Sequence, residues 1–235
     1  MSLPARIQGV FFNPQSAFKG LAERPVWVDV LVILLVLIGI FSFLVAPIAN
    51  KDNLQMMKDN VKLQERVGQE RFNQMIAGME NPSQSRRIFQ SFLMSPLTFF
   101  IGLLFSCLIL LVLSRMGSTE GNYKQVLAAV VHANIIDKVL GNAVRLGLIL
   151  TRKSVFQTST SLALLAPSLP VTSPGYIILA QFDFFQLWMF GVLGYGLAAI
   201  FKIPLKKALF ISYGFWLLKA AVYVVMGLVF TRMMG

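Results

Sequence analysis

The sequence has little of what most catalytic sites are built from. One cysteine, Cys107, and one histidine, His132, occur among its 235 residues. An internal disulfide is therefore excluded, and we expect neither a His/Cys metal cluster nor a Ser-His-Asp triad. Glycine loops of the kinds that hold nucleotide phosphates are also missing. These absences predict a protein that is not an enzyme, with no catalytic residues, no metal site and no cofactor.

Charge is scarce as well. Charged residues make up 13% of the chain, whereas soluble domains carry about a quarter. Hydrophobic residues make up 56%, and the mean hydropathy is +0.70. This composition excludes an ordinary soluble domain and predicts an integral membrane protein. The net charge of +11 comes from residues that flank apolar runs. It therefore indicates contact with lipid head groups and no nucleic-acid partner.

Five apolar runs are long enough to cross a bilayer, which takes about 20 helical residues. They predict an all-α membrane protein, a five-helix bundle forming a single domain over residues 1–235. The expected spans are about 26–46, 92–113, 126–150, 177–201 and 208–230. Pro47 and Asn50 are expected to end the first span. Apolar residues at helical spacing among interleaved charges predict an amphipathic helical insertion over residues 51–90.

The stretch before the first span is expected to form an interfacial helix. Asn13 can cap it and Pro14 suits its first turn. Four apolar residues would form one face: Phe11, Phe12, Phe18 and Leu21. Three basic residues would face lipid head groups: Arg6, Lys19 and Arg24. The alternative is a disordered cytoplasmic tail.

The distribution of Lys and Arg favours an orientation with the N-terminus in the cytoplasm and the C-terminus outside. In that orientation the short inner segments carry eight basic residues and the short outer segments carry three. Basic residues concentrate on the cytoplasmic side of membrane proteins. The seven basic residues of 51–90 weigh against this orientation, and Arg86 and Arg87 weigh most because they lie close to the second span.

The third span carries polar side chains that hydrocarbon disfavours. At about 100° per residue, five of them fall within an arc of roughly 140°: Asn134, Asp137, Lys138, Asn142 and Arg145. Two more charged residues lie in the fourth and fifth spans: Asp183 and Lys219. Buried ionisable groups normally face a bundle interior or a water-filled cavity. Two acids and three bases therefore predict a polar, ion-paired seam between these spans.

Helix geometry limits which charged residues of this seam can pair with one another. Adjacent side chains on a helix diverge, so Asp137 is expected to meet Lys219 or Arg145 and not Lys138. Asp183 would then take the remaining cation. Two interpretations stay open: ion pairs that only fix helix register, or a polar cavity that admits ions, protons or lipid head groups.

Three motifs occur in order along the chain. The first is an NP-x-x-x-F element, made by Asn13, Pro14 and Phe18, just before the first span. The second is QVLAAVVHANI at the start of the third span. The third is a D-x-F-x-x-W pattern, made by Asp183, Phe185 and Trp188, followed by a glycine-rich span and a basic turn. Together they resemble the Yip family of Rab-interacting membrane proteins, and more closely its bacterial branch.

The resemblance implies five spans, a cytoplasmic N-terminus and a C-terminus outside or in the lumen, here of the bacterial inner membrane. Eukaryotic members are implicated in vesicle budding and bind prenylated small GTPases and one another. The N-terminal segment of about 25 residues is short, which argues against a Rab-type GTPase partner.

We therefore expect a non-enzymatic assembly, accessory or trafficking-type factor. Its partners would be membrane lipids and either other proteins or a second copy of the chain. The contact surfaces would be the 51–90 insertion and the fourth span, whose glycines are Gly191, Gly194 and Gly196. The alternative is a transporter or lipid-handling protein that uses the polar stripe of the third span with Asp183 and Lys219. Transport by inverted repeats fits less well, because the five spans show no matched helix breaks.

Overall fold

The computed structural model describes residues 1–80, 82–156 and 160–234. Twelve α-helices occur in this part of the chain: α1 (Leu3–Phe12), α2 (Pro14–Glu23), α3 (Val28–Lys58), α4 (Val61–Val67), α5 (Gln69–Glu80), α6 (Gln84–Phe89), α7 (Ser95–Arg115), α8 (Tyr123–Ile135), α9 (Asn142–Arg152), α10 (Pro174–Leu179), α11 (Phe184–Phe201) and α12 (Leu205–Met234). Gln90–Met94 and Ile136–Gly141 are π-helical, and Leu162–Leu165 is a 3₁₀ turn. The described residues contain no strand beyond an isolated bridge between Ser161 and Asp183.

Five helical stretches are long and apolar enough to cross a membrane: Val28–Lys58, Gln84–Arg115, Tyr123–Arg152, Phe184–Phe201 and Leu205–Arg232. The predicted all-α fold class with five spans is confirmed. The helix of the fourth span, α11, begins at Phe184 instead of near residue 177, because α10 is a separate short helix. The second begins at Gln84, so the end of the predicted insertion belongs to a span.

The chain divides into two compact units. The first contains Met1–Ile38, Pro96–Asn142 and Phe184–Lys219. The second contains Gly39–Ser95, Ala143–Asp183 and Ala220–Gly235. Several spans therefore contribute to both units.

The core of the first unit forms where α2, α8 and α11 pack together. The Asn13 side chain accepts a hydrogen bond from the backbone of Ser16 at 3.2 Å, and Pro14 is the first residue of α2. This start directs Phe18 into the core, where 1% of it is exposed. A Cβ on Gly196 of α11 would lie 3.0 Å from both Phe18 and Ala129. The absence of a side chain at Gly196 therefore lets the three helices approach closely.

The N-terminal stretch is helical, and the expectation for Arg6 was wrong. Arg6 does not face head groups but is buried, with 6% exposed. Its guanidinium forms a salt bridge with Asp29 at the start of the first span and donates to the Val26 carbonyl at 3.4 Å. A carboxylate beside an apolar span is stabilised by a counter-charge from the protein. Helix α1 places Arg6 next to the Asp29 carboxylate.

The glycines of the fourth span serve internal packing. A Cβ on Gly191 would lie 2.7 Å from the Tyr213 hydroxyl, and one on Gly194 would lie 2.5 Å from Leu209. Both neighbours belong to α12. Because its own helices fill these positions, the glycine-rich face of α11 is not a free surface for a partner.

In the second unit, α3 passes through Pro47 and continues to Lys58, so the prediction that Pro47 and Asn50 end the first span was wrong. Proline has no N–H to donate to the carbonyl four residues earlier, which is that of Phe43. The Arg87 guanidinium supplies the missing donor, with Nη2 at 2.8 Å from the Phe43 oxygen. It also lies 4.1 Å from the centre of the Phe43 ring. A tertiary contact thus compensates for the proline.

The polar insertion folds back on the extended end of α3. Asn50 donates to the Met79 carbonyl at 2.7 Å, and Lys58 pairs with Glu80 at 2.8 Å. On α5, Phe72 and Ile76 are buried, with 6% and 9% exposed. Two residues of the apolar side of this amphipathic helix are therefore covered by protein, whereas Met75 is 42% exposed.

We predict that Arg87→Met lowers the thermal stability of the protein in mild detergent. The Phe43 carbonyl would lose its donor, and an unsatisfied buried polar group costs about 1–3 kcal/mol. Pro47→Ala should restore part of this loss in the double variant, because alanine brings back a backbone N–H for that carbonyl. Arg86→Met, which changes the exposed neighbour, is the matched control. Equal stability of Arg87→Met and Arg86→Met would contradict this account.

Candidate functional site

Asp137 and Lys138 lie in the π-helical segment Ile136–Gly141, in the middle of the third span. Their side chains form a salt bridge of 2.7 Å. The expectation that these neighbours would not pair was therefore wrong. A π-helical turn closes over one more residue than an α-helical turn, so adjacent side chains diverge less. Lys138 also lies 5.8 Å from the centre of the Phe99 ring.

The other predicted seam residues of the first unit contact polar groups in several elements. The Asn134 amide donates to the Val130 carbonyl of its own helix at 2.8 Å. Asn142 begins α9, and its backbone N–H bonds to carbonyls of the π-helical segment. Lys219 lies 3.4 Å from the Gln186 amide oxygen and 5.8 Å from the centre of the Phe190 ring. These contacts show that α12 and α11 meet at Lys219.

Asp183 is a buried carboxylate of the second unit with two polar partners. One of its oxygens pairs with Arg145 at 2.8 Å, and the other accepts the Thr160 hydroxyl at 2.6 Å. The neighbouring Phe182 carbonyl accepts the backbone N–H of Leu162 at 3.1 Å. Only 4% of Asp183 is exposed. It therefore anchors the connection before α10 to α9.

Five of the seven predicted seam residues belong to the first unit, and Arg145 and Asp183 belong to the second. Two ion pairs among them are formed, Asp137 with Lys138 and Arg145 with Asp183. A single seam that joins all seven stays a prediction.

The opposite side of α8 carries its own polar contacts. Gln125 donates to the Ala22 carbonyl at the end of α2, at 2.7 Å. His132 is completely buried, and its Nδ1 lies 2.8 Å from the Ala128 carbonyl. Within the described residues, no group of three His, Cys, Asp or Glu side chains could hold a metal ion. His132 therefore bonds to its own helix through Nδ1.

A groove of about 830 Å³ opens in the first unit. Its walls are the end of α2, the connection between α7 and α8, the last turns of α11 and the turn before α12. The lining combines charged, amide and apolar side chains: Gln15, Lys19, Ala22, Glu23, Thr119, Glu120, Gly121, Asn122, Gln125, Tyr195, Ala198, Ala199, Ile200, Lys202, Ile203 and Leu205. This volume lies within the usual range of ligand pockets, about 300–1,000 Å³.

Hydrogen bonds brace the walls of this groove. The Ser118 hydroxyl donates to the Phe201 carbonyl at 2.6 Å, and Arg115 donates to the Gly121 carbonyl at 2.7 Å. Asn122 and Gln125 form a reciprocal capping box at the start of α8. Gly121 has φ +81°, and a Cβ there would lie 2.7 Å from Ile200. The groove is thus a preformed feature of the unit.

The sequence gives only partial signals for this groove. Lys19 is recognisable as a basic residue of the predicted interfacial helix, and Lys202 as part of the basic turn after the fourth span. The spacing of Asn122 and Gln125 matches a capping box. Nothing in the sequence places α2 beside the turn that contains Lys202. That juxtaposition requires the packing of α2 on α11.

Five of the family-like motif residues lie in the first unit, Asn13, Pro14, Phe18, Phe185 and Trp188, and Asp183 lies in the second. Phe11, which precedes Asn13, makes an edge contact with the Trp188 ring at 5.9 Å between ring centres. Phe185 is buried, with 7% exposed. The tryptophan of the third motif therefore packs against the end of α1, just before the first motif.

We predict that Asp183→Asn lowers the thermal stability of the protein. The change removes the charge that holds Arg145, and breaking one partner of a buried ion pair costs about 3–5 kcal/mol. Glu80→Gln is the matched control, because it breaks the half-exposed pair with Lys58, and such pairs contribute about 0–1 kcal/mol. The stability of both variants is measured by following the loss of monodisperse protein on heating. Similar losses for the two variants would contradict the anchoring role of Asp183.

Comparison with known proteins identifies the family. A family model described as the Yip1 domain matches residues 9–227. No curated protein and no solved structure matches the chain. The match covers most of the sequence, and the chain belongs to the Yip family.

Proposed function

We propose that this member of the Yip family is a non-enzymatic assembly or accessory factor that acts through contacts with other membrane proteins or with a second copy of itself. The observation that carries the proposal is that its two acids in the predicted seam are buried and ion-paired. Asp137 and Asp183 are 3% and 4% exposed, and each forms an ion pair. Acids enclosed in this way are held by partners within the protein and are poorly placed to bind a passing solute.

The proposed contact surface is the pair of short helices α4 and α5. On α5, Phe72 and Ile76 are buried, while Glu70, Arg71 and Gln74 are exposed. Interleaved charges on a helical surface suit selective contact with a complementary protein, since charge complementarity fixes register. Binding of a Rab-type GTPase is not part of the proposal, because the N-terminal segment forms α1 and α2, which pack within the first unit.

Photo-crosslinking in intact membranes tests this proposal. A photoreactive amino acid at Gln74, on the exposed side of α5, should capture a protein partner or a second copy in a defined adduct. The same probe at the exposed Ser168, in the connection before α10, is the control and should capture less. Mild-detergent purification followed by mass spectrometry identifies the adducts. Recovery of lipid alone at both positions would overturn the proposal.

The alternative is a transporter or lipid-handling protein that uses the third span. One observation favours it: Asp137 and Lys138 lie in a π-helical segment, and such segments often occur at functional sites. In that case the salt bridge between the two residues would open during a transport cycle.

Asp137→Asn separates the two functions. If the Asp137 pair is structural, the variant should lose about 1–3 kcal/mol of stability, because the Lys138 side chain left behind is 29% exposed. It should lose its crosslinked partner only in proportion to unfolded protein. Asn134→Leu, a neighbouring change without loss of charge, is the control. A stable Asp137→Asn variant that lost movement of an ion or lipid across vesicles would instead establish the alternative.

We also propose that the protein resides in a bacterial inner membrane with its N-terminus in the cytoplasm. The excess of Lys and Arg in the short segments on that side supports this orientation. A cysteine at the exposed Thr119 should then be protected from a membrane-impermeant maleimide in intact cells, and one at Ser168 should react. Cys107 is completely buried and contributes little background. The reverse labelling pattern would invert the topology.

A further inference from the structure

We propose that the groove beside α2 binds the head group of a zwitterionic membrane phospholipid that carries a primary ammonium group, as in phosphatidylethanolamine. The site would exist whichever protein partner α4 and α5 contact, so it goes beyond the proposed function.

The position of the groove favours a lipid over a soluble ligand. Its lining includes residues at the ends of three candidate spans: Gln125 near the start of the third, Ile200 near the end of the fourth and Leu205 at the start of the fifth. Span ends lie at the depth of lipid head groups. The groove thus faces the polar layer of the bilayer, where phospholipid is the most abundant ligand.

The lining is also amphipathic in the way that a phospholipid is. Lys19, Glu23, Glu120 and Lys202 supply charge, while Ile203 and Leu205 supply apolar surface. Head-group atoms would meet the charged side chains, and the first carbons of the acyl chains would meet the apolar ones. A soluble polar metabolite would leave that apolar surface unused.

The balance of charge indicates a zwitterion. Two ammonium groups and two carboxylates line the groove, so an anionic head group alone would face two carboxylates. In ethanolamine phospholipids the phosphate can accept from lysine, and the ammonium group can donate to a carboxylate. A choline head group has the same charges but no N–H to donate, which makes it the discriminating comparison.

The charged side chains are available for such a ligand. Within the described part of the chain, neither Lys19 nor Glu23 forms a salt bridge. Lys202 and Glu120 pair at 3.1 Å, but 71% and 51% of these side chains are exposed. Exposed pairs contribute little stability, so either group can turn to a ligand. Because hydrogen bonds brace the walls, binding would require little reordering of the backbone.

Native mass spectrometry of the full chain tests the proposal. The protein is stripped of lipid in mild detergent and titrated with phosphatidylethanolamine, phosphatidylcholine and phosphatidylglycerol of matched acyl chains. We expect ethanolamine lipid to be retained about fivefold better than either of the others, as one well-placed charged contact would give. Equal retention of the three lipids, or preference for phosphatidylglycerol, would overturn the proposal.

Two charge variants assign the contacts. Lys19→Gln removes a phosphate contact and should lower retention of all three lipids by about fivefold. Glu23→Gln should lower retention of the ethanolamine lipid alone. Lys124→Gln and Lys206→Gln are controls, because both residues are exposed nearby and neither lines the groove. Controls with effects equal to those of Lys19→Gln would overturn the assignment to this groove.

A steric variant covers the case in which a charge change disturbs folding. Thr119→Trp would fill the groove from an exposed position without altering charge or core, and should abolish the preference for ethanolamine lipid. Persistence of that preference in a monodisperse Thr119→Trp variant would overturn the proposal. So would competition by soluble glycerophosphoethanolamine as effective as that of the lipid, since the acyl chains would then contribute nothing.

Discussion

The structure depends on one constraint: a polar group in an apolar helix needs a polar partner within the protein. Pro47 shows it most clearly, because the carbonyl of Phe43 loses its intrahelical donor and receives one from Arg87. Asp29 receives Arg6 in the first unit, and Asp183 receives Arg145 in the second. Each partner lies far away in the sequence. Satisfying these groups therefore fixes which helices are neighbours within each unit.

The same constraint separates two kinds of charge in this protein. Asp137 and Asp183 are buried and paired, so their contribution is to the packing of helices. Lys19 and Glu23 lie in an open groove and have exposed side chains. Open charges at a span end can exchange water for a ligand at small cost, whereas buried pairs cannot. This difference is why the binding site that we propose lies in the open groove and not at the buried pairs.

The residues that carry the resemblance to the Yip family mainly make packing contacts between helices. Asn13 and Pro14 start α2 and direct Phe18 against Gly196, and Trp188 packs on the helix before them. In the first unit, therefore, the residues that carry the family resemblance build a scaffold. That explains why the resemblance identifies the architecture while the activity has to be sought in surfaces outside the motifs.

The sequence alone determined the membrane class, the all-α fold and the five spans, because hydropathy and helix length are local properties. It also identified Asp183 as a buried charge. The tertiary structure decided what local rules could not: that α3 continues past Pro47, that Arg6 is buried, and that Asp137 pairs with its neighbour. Two physical reasons apply. Donors and counter-charges from distant residues, or a local π-helical turn, change the free energy of a conformation that its own sequence window disfavours.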